Sequence, residues 1–365
     1  MTLLQWELNV QFMFAYGHAQ SVTVKDAPYM SITSPITWHG AKTKLASKIL
    51  QHFPTHQTYC EPFGGSAAVM LAKEPSQIEI YNDADSSLVN LFRVVRESEL
   101  CVKLQRALEN TPYSRAEFEL AKQETAEPVE AARRFIVRQR QSRGGLGVRW
   151  RYSIKDTDAG IASVVRRWRN GIVGLPAVHK RFQNVQIEAD DWRRVISRYD
   201  SSRTLFYCDP PYFPGTVIRG SYRHELSKCD HRELVTLLLN VRGMVVLSGY
   251  KCATYRPLER AGWKRVDFDV RGNGSDKQTR RVECLWLSPS VVNHAENQKL
   301  FLSPGERRRE GAYASHRAQV ATSTKKALRA IEKLRAGGKR ITKTGVARAA
   351  KMSREHLSRR YGNLF

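Results

Sequence analysis

Asp209-Pro210-Pro211-Tyr212 comes directly after the strand-like run TLFYC, and its residue types suit the handling of an amine. Ligands of open α/β sheets gather at the carboxyl ends of strands, so an acid and an aromatic ring arrive where the rim of a pocket is expected. The two prolines lock their own φ angles and withhold two backbone donors, leaving a stiff loop whose carbonyls can accept. An exocyclic base amine is a poor nucleophile because its lone pair is delocalised into the ring. The Asp209 carboxylate and the Pro210 carbonyl can each take one N–H and so redirect that lone pair at an electrophile, while Tyr212 stacks on a base turned out of the helix. The alternative is an ordinary strand-ending turn, and the neighbouring stretches decide between them.

Glu61-Pro62-Phe63-Gly64-Gly65-Ser66 follows another strand-like run and opens the helical stretch Ser66 to Lys73. Strand, glycine turn and helix form a nucleotide-type arrangement without the full GxGxxG pattern. Ile80-Tyr81-Asn82-Asp83 ends the next strand, where an acid can grip ribose hydroxyls. Upstream, Trp38-His39-Gly40-Ala41-Lys42-Thr43 lacks the Gly-Lys adjacency of a phosphate-binding loop. It supplies instead an aromatic ring, a glycine turn and a lysine ahead of the amphipathic stretch Leu45, Ile49, Phe53.

These stretches need a frame. Short β-rich runs at Thr58 to Phe63, Ile78 to Asp83, Val185 to Ala189, Thr204 to Asp209 and Met244 to Tyr250 alternate with helical patterns, which predicts an α/β fold with a mostly parallel sheet. Between Phe92 and Arg181 the strand signal lapses into charged helical sequence. Residues 131 to 181 hold 13 Lys/Arg against 2 acids, with Trp150, Tyr152 and Trp168 interleaved. That mixture suits phosphate contacts and base stacking, the alternative being a solvated basic face. Residues 289 to 311 are rich in Pro, Gly and charge and read as a linker, and residues 291 to 365 carry a net charge of +13.

The whole chain of 365 residues has a net charge of +25, which calls for a polyanionic partner. Arg242 interrupts the strongest apolar run, Leu234 to Leu247, so no membrane span is expected. The six cysteines show no zinc-ligand spacing, and Cys60 and Cys208 close apolar runs as small buried thiols. With no signal-peptide pattern at the N-terminus, an intracellular, cytoplasmic protein is expected. Residues 1 to 29 show neither periodicity nor motif, and Met30 is a candidate start.

In this order and spacing, the stretches resemble the Dam-type class of DNA adenine N6-methyltransferases. ITWHGAKTKL is similar to the family's W-x-G-x-K segment, TYCEPFGGSAAVML to its EPF-x-G-x-G turn, IYNDADSSLVNLF to its ND-x-N motif, and FYCDPPY to its VYCDPPY. The similarity continues through QIEADDWRRVI, SYRHELSKCDHRELVTLL, VVLSGY and RRVECLWL, from about Pro35 to Ser288. The resemblance implies a Rossmann-like methyltransferase sheet and S-adenosylmethionine as methyl donor. Trp38, Lys42, Glu61, Phe63, Gly64, Gly65 and Asp83 would form much of the donor pocket, joined by Asp191 and Trp192 near its adenine. Asp209, Pro210, Pro211 and Tyr212 would be the catalytic loop between donor and base. No metal is required by this chemistry.

The resemblance implies a catalytic domain over residues 30–91 and 182–288 around a mainly helical target-recognition insertion over 92–181, and composition and charge add a linker over 289–324 and a small helical module over 325–365. In the module, Val346, Ala347, Ala350, Met352 and Leu357 are spaced as in a helix-turn-helix, with Ser353 as N-cap. Arg354 and His356 would contact double-stranded DNA there, and Arg138, Arg140, Arg143 and Arg149 would do so in the insertion. There are departures. The glycine turn reads FGGSA, Asp85 stands where asparagine is common, and the recognition segment survives only as RQRQSRGGLGVRW. The expected activity is methylation of the N6 amine of a flipped adenine in a specific sequence. Cytosine-N4 methylation and an inactive DNA-binding regulator are the alternatives, and a restriction endonuclease partner is left open.

Overall fold

Seven short runs of the chain pair into one sheet: β1 (Thr58–Glu61), β2 (Ile78–Asn82), β3 (Val185–Glu188), β4 (Thr204–Cys208), β5 (Met244–Tyr250), β6 (Lys264–Arg271) and β7 (Arg280–Leu287). The computed structural model describes residues 32–154, 156–158, 160–215, 224–271 and 280–294, with 330, 334 and 342–350 near the C-terminus. The strand order is β3-β2-β1-β4-β5-β7-β6, parallel throughout except for β7, which runs antiparallel to both neighbours. The fold is therefore mixed α/β around a mostly parallel sheet. β4 is buried at all five positions and β5 at six of seven, as expected for parallel strands covered on both faces.

Alternate residues of the strands feed two separate cores, because successive strand side chains point to opposite faces. Tyr59, Tyr81, Tyr207 and Val246 face one core, whose helical cover includes Ser86–Arg96, Pro128–Gln141 and Leu175–Phe182. Cys60, Ile80, Phe206, Cys208 and Val245 face the other, closed by helices Trp192–Tyr199, Lys228–Asn240 and Arg256–Arg260. Cys60 and Cys208 are buried free thiols, pushed upward in pKa first by burial. Asp85 caps helix Ser86–Arg96 through its side chain, which accepts from the Ser87 amide at 2.8 Å. Asparagine can cap a helix in the same way, so the departure leaves this contact in place.

Among the described residues between Arg96 and Leu175 there are four α-helices, Ser98–Glu109, Arg115–Leu120, Pro128–Gln141 and Ser163–Val173, with a 3-10 turn at Arg143–Gly145 and a short strand pair, Thr157–Asp158 and Ile161–Ala162. Leu104, Leu108, Phe135, Ile136, Trp168 and Ile172 from these helices join the same core as Tyr81 and Tyr207 of the sheet. Phe92 and Phe182, at the two margins of the segment, stack with centroids 4.4 Å apart. The expectation that Trp168 offers its ring to a base does not hold. It is 3 % exposed and its indole N–H donates to the Thr111 carbonyl. Its spacing on an amphipathic helix, Val164, Trp168, Ile172, is that of a core stripe.

The chain divides into two compact units after Val292. In the second, Lys343–Ala350 is helical, with Val346, Ala347 and Ala350 buried. Thr342 supports its first turn, its hydroxyl accepting from the Gly345 amide at 3.0 Å. Residues 1 to 29, most of the 289–324 linker, Met352, Ser353, Arg354, His356 and Leu357 lie outside the described residues. Among those described, no helix is long and apolar enough to cross a membrane.

Candidate active site

β1 and β4 are neighbours, and strand order reverses between them, with β2 and β3 continuing to one side and β5 to the other. At such a switch point the connections leave in opposite directions and open a crevice at the carboxyl ends of the strands. The cleft found there is lined by Trp38, Lys42, Glu61, Phe63, Gly65 and Asp209, among others. Three stretches distant in the sequence thus meet: the Trp-to-Lys segment, the glycine turn after β1 and the acid after β4.

The glycine turn is shaped by its neighbours. A Cβ on Gly64 would lie 2.2 Å from Cε2 of Tyr81, so only glycine lets that ring pass beneath the turn. The Tyr81 hydroxyl then donates to the Gly65 carbonyl at 2.7 Å. Gly65 has φ +49°, and a Cβ there would be 3.1 Å from the Trp38 indole nitrogen. Ala67 takes the place of the family's second glycine and keeps the left-handed backbone that glycine favours, with φ 54°. The Gly65 amide donates to Asp83 Oδ2 at 2.8 Å, and the Asp85 amide donates to Oδ1 at the same distance. Asp83 therefore braces the turn from behind. Burial raises its pKa to about 6.

Glu61 is 2 % exposed and accepts a hydrogen bond from the Tyr59 hydroxyl at 2.7 Å. Burial, opposed by that bond, pushes its carboxyl up to about 8. Phe63 packs on Trp192, with centroids 5.8 Å apart, and the Arg193 guanidinium lies 4.3 Å from the Trp192 ring. Trp192 thus supports Phe63 rather than lining the cleft itself. Asp191 is exposed and N-caps its helix, accepting from the Arg193 amide at 2.8 Å.

The catalytic loop is more occupied than its sequence suggests. The Lys42 ammonium lies 2.6 and 2.8 Å from the two oxygens of Asp209. It also donates to the Gly40 carbonyl and to the Tyr212 hydroxyl, each at 3.1 Å. The Tyr212 hydroxyl in turn donates to Glu283 Oε2 at 3.0 Å, and Ser248 donates to Glu283 Oε1 at 3.1 Å. Burial alone would depress the Lys42 ammonium, but Asp209 and Glu283 outweigh it and hold the group well above the ordinary lysine range. Burial raises Asp209 and Glu283, and Lys42 opposes both shifts. The Tyr212 ring stacks on Tyr250 with centroids 4.4 Å apart and planes 20° from parallel. Pro210 is buried and Pro211 half-buried beside it.

Glu283, Ser248, Tyr250 and His231 are the residues of this site that motif reading does not assign. His231 is fully buried, 2.9 Å from the Tyr255 hydroxyl and with its ring 5.2 Å from Phe213, and burial lowers its pKa to about 4. Glu283 is a charged residue inside the apolar run VECLWL, a polar interruption that was the available signal.

The four arginines of the insertion part company. Arg143 and Arg149 are exposed, on a loop closed by the Ser142–Trp150 bridge and by the Arg143 amide donating to the Arg149 carbonyl at 2.8 Å. Arg138 is half-buried, its guanidinium 5.7 Å from the Phe135 ring. Arg140 instead turns inward. Its guanidinium donates to the Pro35 and Arg167 carbonyls, in space that a Cβ on Gly171 would fill. It ties two helices together, and its charge is held away from the surface where DNA contact was expected. Trp150 and Tyr152 stack on each other, with centroids 6.0 Å apart, and Arg115 lies 4.7 Å from the Trp150 ring.

Residues 38–257, which carry the whole of this cleft except Glu283, match the model of the D12 class N6 adenine-specific DNA methyltransferases. The chain belongs to that family. It is also 32% identical over 233 residues to the Retron Ec67 DNA adenine methylase of Escherichia coli, a match covering 56% of this chain and 71% of that protein. Membership of the D12 class makes the protein an adenine-specific DNA methyltransferase, which favours adenine over the cytosine-N4 alternative. Among the described residues there is no group of three or more His, Cys, Asp or Glu side chains that could hold a metal ion.

Proposed function

We propose that the protein transfers the methyl group of S-adenosylmethionine to N6 of an adenine flipped out of a specific duplex sequence. The observation that carries this reading is the convergence on one cleft of the glycine turn at Gly64 and Gly65, the Trp38 indole and the Asp209 carboxylate. The cradle fits a donor of this kind, because the bare backbone of Gly65 adds no side chain between the turn and the Trp38 indole, which a Cβ there would crowd, and Phe63 offers an aromatic wall. Trp38, Phe63, Gly64 and Gly65 would hold the donor, with Glu61 at its polar groups, Asp83 fixing the turn, Trp192 supporting Phe63 and Asp191 capping the helix that carries Trp192. When bound, the donor supplies an electrophilic methyl group.

The chain's own residues do the rest. Asp209 accepts one N–H of the flipped amine and the Pro210 carbonyl the other, which draws the lone pair out of conjugation. Pro210 and Pro211 keep the loop from relaxing away from that geometry. Tyr212, held by Tyr250 and Glu283, presents a fixed aromatic surface to the base. Fixed acceptors of this kind act by being in place before the reaction rather than by rearranging during it.

Recognition of the target is assigned to the insertion over 92–181, with Arg143 and Arg149 among its exposed arginines and Arg138 half-buried near them. Residues 30–91 and 182–288 form the catalytic domain. The basic module over 325–365, with Arg354 and His356, adds affinity for duplex DNA through a linker over 289–324. Expression in a methylation-free host, followed by sequencing for modified bases, tests the proposal. N6-methyladenine confined to one motif, and absent with Asp209→Ala, is the expected result. Methyladenine that persists in the variant would overturn the assignment of Asp209.

A further inference from the structure

We infer that the Lys42 ammonium occupies the seat of the target amine in the resting enzyme, and that Glu283 takes it up when the base enters. The inference deepens the proposed function and rests on it, since it concerns the carboxylate there assigned to the amine.

An ammonium has three N–H donors, and those of Lys42 have acceptors in Asp209, the Gly40 carbonyl and the Tyr212 hydroxyl. Both oxygens of Asp209 lie within 2.8 Å of Nζ, so the edge that must receive an amine N–H already holds a cationic one. A base amine is neutral. Hydrogen bonds in which a partner is ionised are roughly twice as strong as neutral ones, so the amine cannot displace the lysine on hydrogen bonding alone. Stranding a buried ammonium without a counter-charge would make the exchange still harder.

Glu283 removes that obstacle. Its Oε1 lies 3.4 Å from Lys42 Nζ, and both side chains are 4% exposed. The carboxylate is held from two sides, by the Ser248 hydroxyl on Oε1 and the Tyr212 hydroxyl on Oε2. As the amine claims Asp209, the N–H released from Asp209 turns to Glu283 Oε1. Lys42 keeps an ionised partner throughout and keeps its bonds to Gly40 and Tyr212. Glu283 is accordingly a positioning residue. It acts through the lysine on the affinity of Asp209 for an amine.

The test compares binding of two duplexes that carry the mapped motif, one with adenine and one with unsubstituted purine at the target position. Purine has the same ring without the N6 amine, so the ratio of the two affinities isolates the amine contact. Measurements with S-adenosylhomocysteine present require no turnover. Glu283→Gln, which keeps the shape and an acceptor for Tyr212, is expected to lower the preference for adenine about ten-fold, the equivalent of about 1.4 kcal/mol. Adding Lys42→Met to Glu283→Gln removes the competitor and is expected to restore the preference. A preference unchanged in Glu283→Gln overturns the inference. A loss that persists in the double variant also overturns it, because Glu283 would then act through Tyr212 alone. Failure of the proposed function is seen separately, as the absence of N6-methyladenine in the expression experiment.

Discussion

Gly145 of the insertion packs on the carbonyl of Thr37, so closely that a Cβ at Gly145 would lie 2.4 Å from that oxygen. Thr37 precedes Trp38 of the cleft, so the loop bearing Arg143 and Arg149 rests on the segment that walls the candidate donor site. Gly147 is on the same loop with nearly the same backbone, φ 70° against 71°, but a Cβ there would meet only side-chain atoms 3.7 Å or more away. Gly147→Ala should cost only the left-handed backbone penalty, about 1 kcal/mol. Gly145→Ala adds a collision with backbone and should cost about 2–4 kcal/mol. Thermal unfolding gives the difference, and donor titration should show weakening in Gly145→Ala alone.

Tyr212 has two separable duties. Tyr212→Phe keeps the stack on Tyr250 but removes the hydroxyl between Lys42 and Glu283. Tyr212→Ala removes both. Single-turnover methylation should fall about ten-fold in the first and about 100- to 1000-fold in the second, the upper range being typical for loss of one preorganised group. Equal rates in the two variants would show that the ring face contributes nothing.

Glu61 makes stability depend on pH. Its carboxyl titrates near its ordinary value of 4.5 in the unfolded chain and at about 8 when buried. The folded state therefore binds the proton more tightly, and the stabilisation is fully present below about pH 4.5 and lost as pH rises through 8. Glu61→Gln, a neutral isostere of the protonated acid, should flatten this decline and leave the protein about 4 kcal/mol more stable than wild type at pH 8.5, relative to their difference at pH 5. Urea unfolding at the two pH values measures it.

The arginines of the insertion should separate by role. Alanine at Arg143 or Arg149 is expected to relax or shift the methylated motif, at about 1–3 kcal/mol of discrimination for each base-edge contact. Alanine at Arg140 should lower the unfolding temperature and leave the motif alone, since its guanidinium binds two backbone carbonyls of the protein. Sequencing of modified bases for each variant distinguishes the two behaviours.

The C-terminal segment is expected to act on affinity and not on chemistry. Residues 291 to 365 hold 18 Lys/Arg and 5 acids. Each phosphate they neutralise contributes about −0.9 to the slope of log affinity against log salt. Truncation after Ser303 should flatten that slope by several units while single-turnover transfer at saturating DNA survives. An identical slope for the truncated protein would remove the tether.

The sequence by itself determined the features that are local. Apolar runs ending in DPPY, in EPFGGS and in YND mark strand ends that carry polar residues, and the structure has strands ending at Cys208, Glu61 and Asn82. The glycine turn is legible because a tight approach and a left-handed backbone restrict residue type within a few positions. Even the departure at Ala67 leaves the backbone conformation in place. What depends on chain segments far apart could not be read this way. The direction in which Arg140 points follows from helix Ser163–Val173 arriving with Gly171 against it, and the acceptor that satisfies the buried Trp168 indole N–H is supplied by Thr111 of a distant segment. The pairing of β7 beside β5 is what carries Glu283 to Tyr212 and Lys42. Strand order is a property of the assembled sheet. A carboxylate on its seventh strand therefore becomes part of the site only once the chain has folded around it.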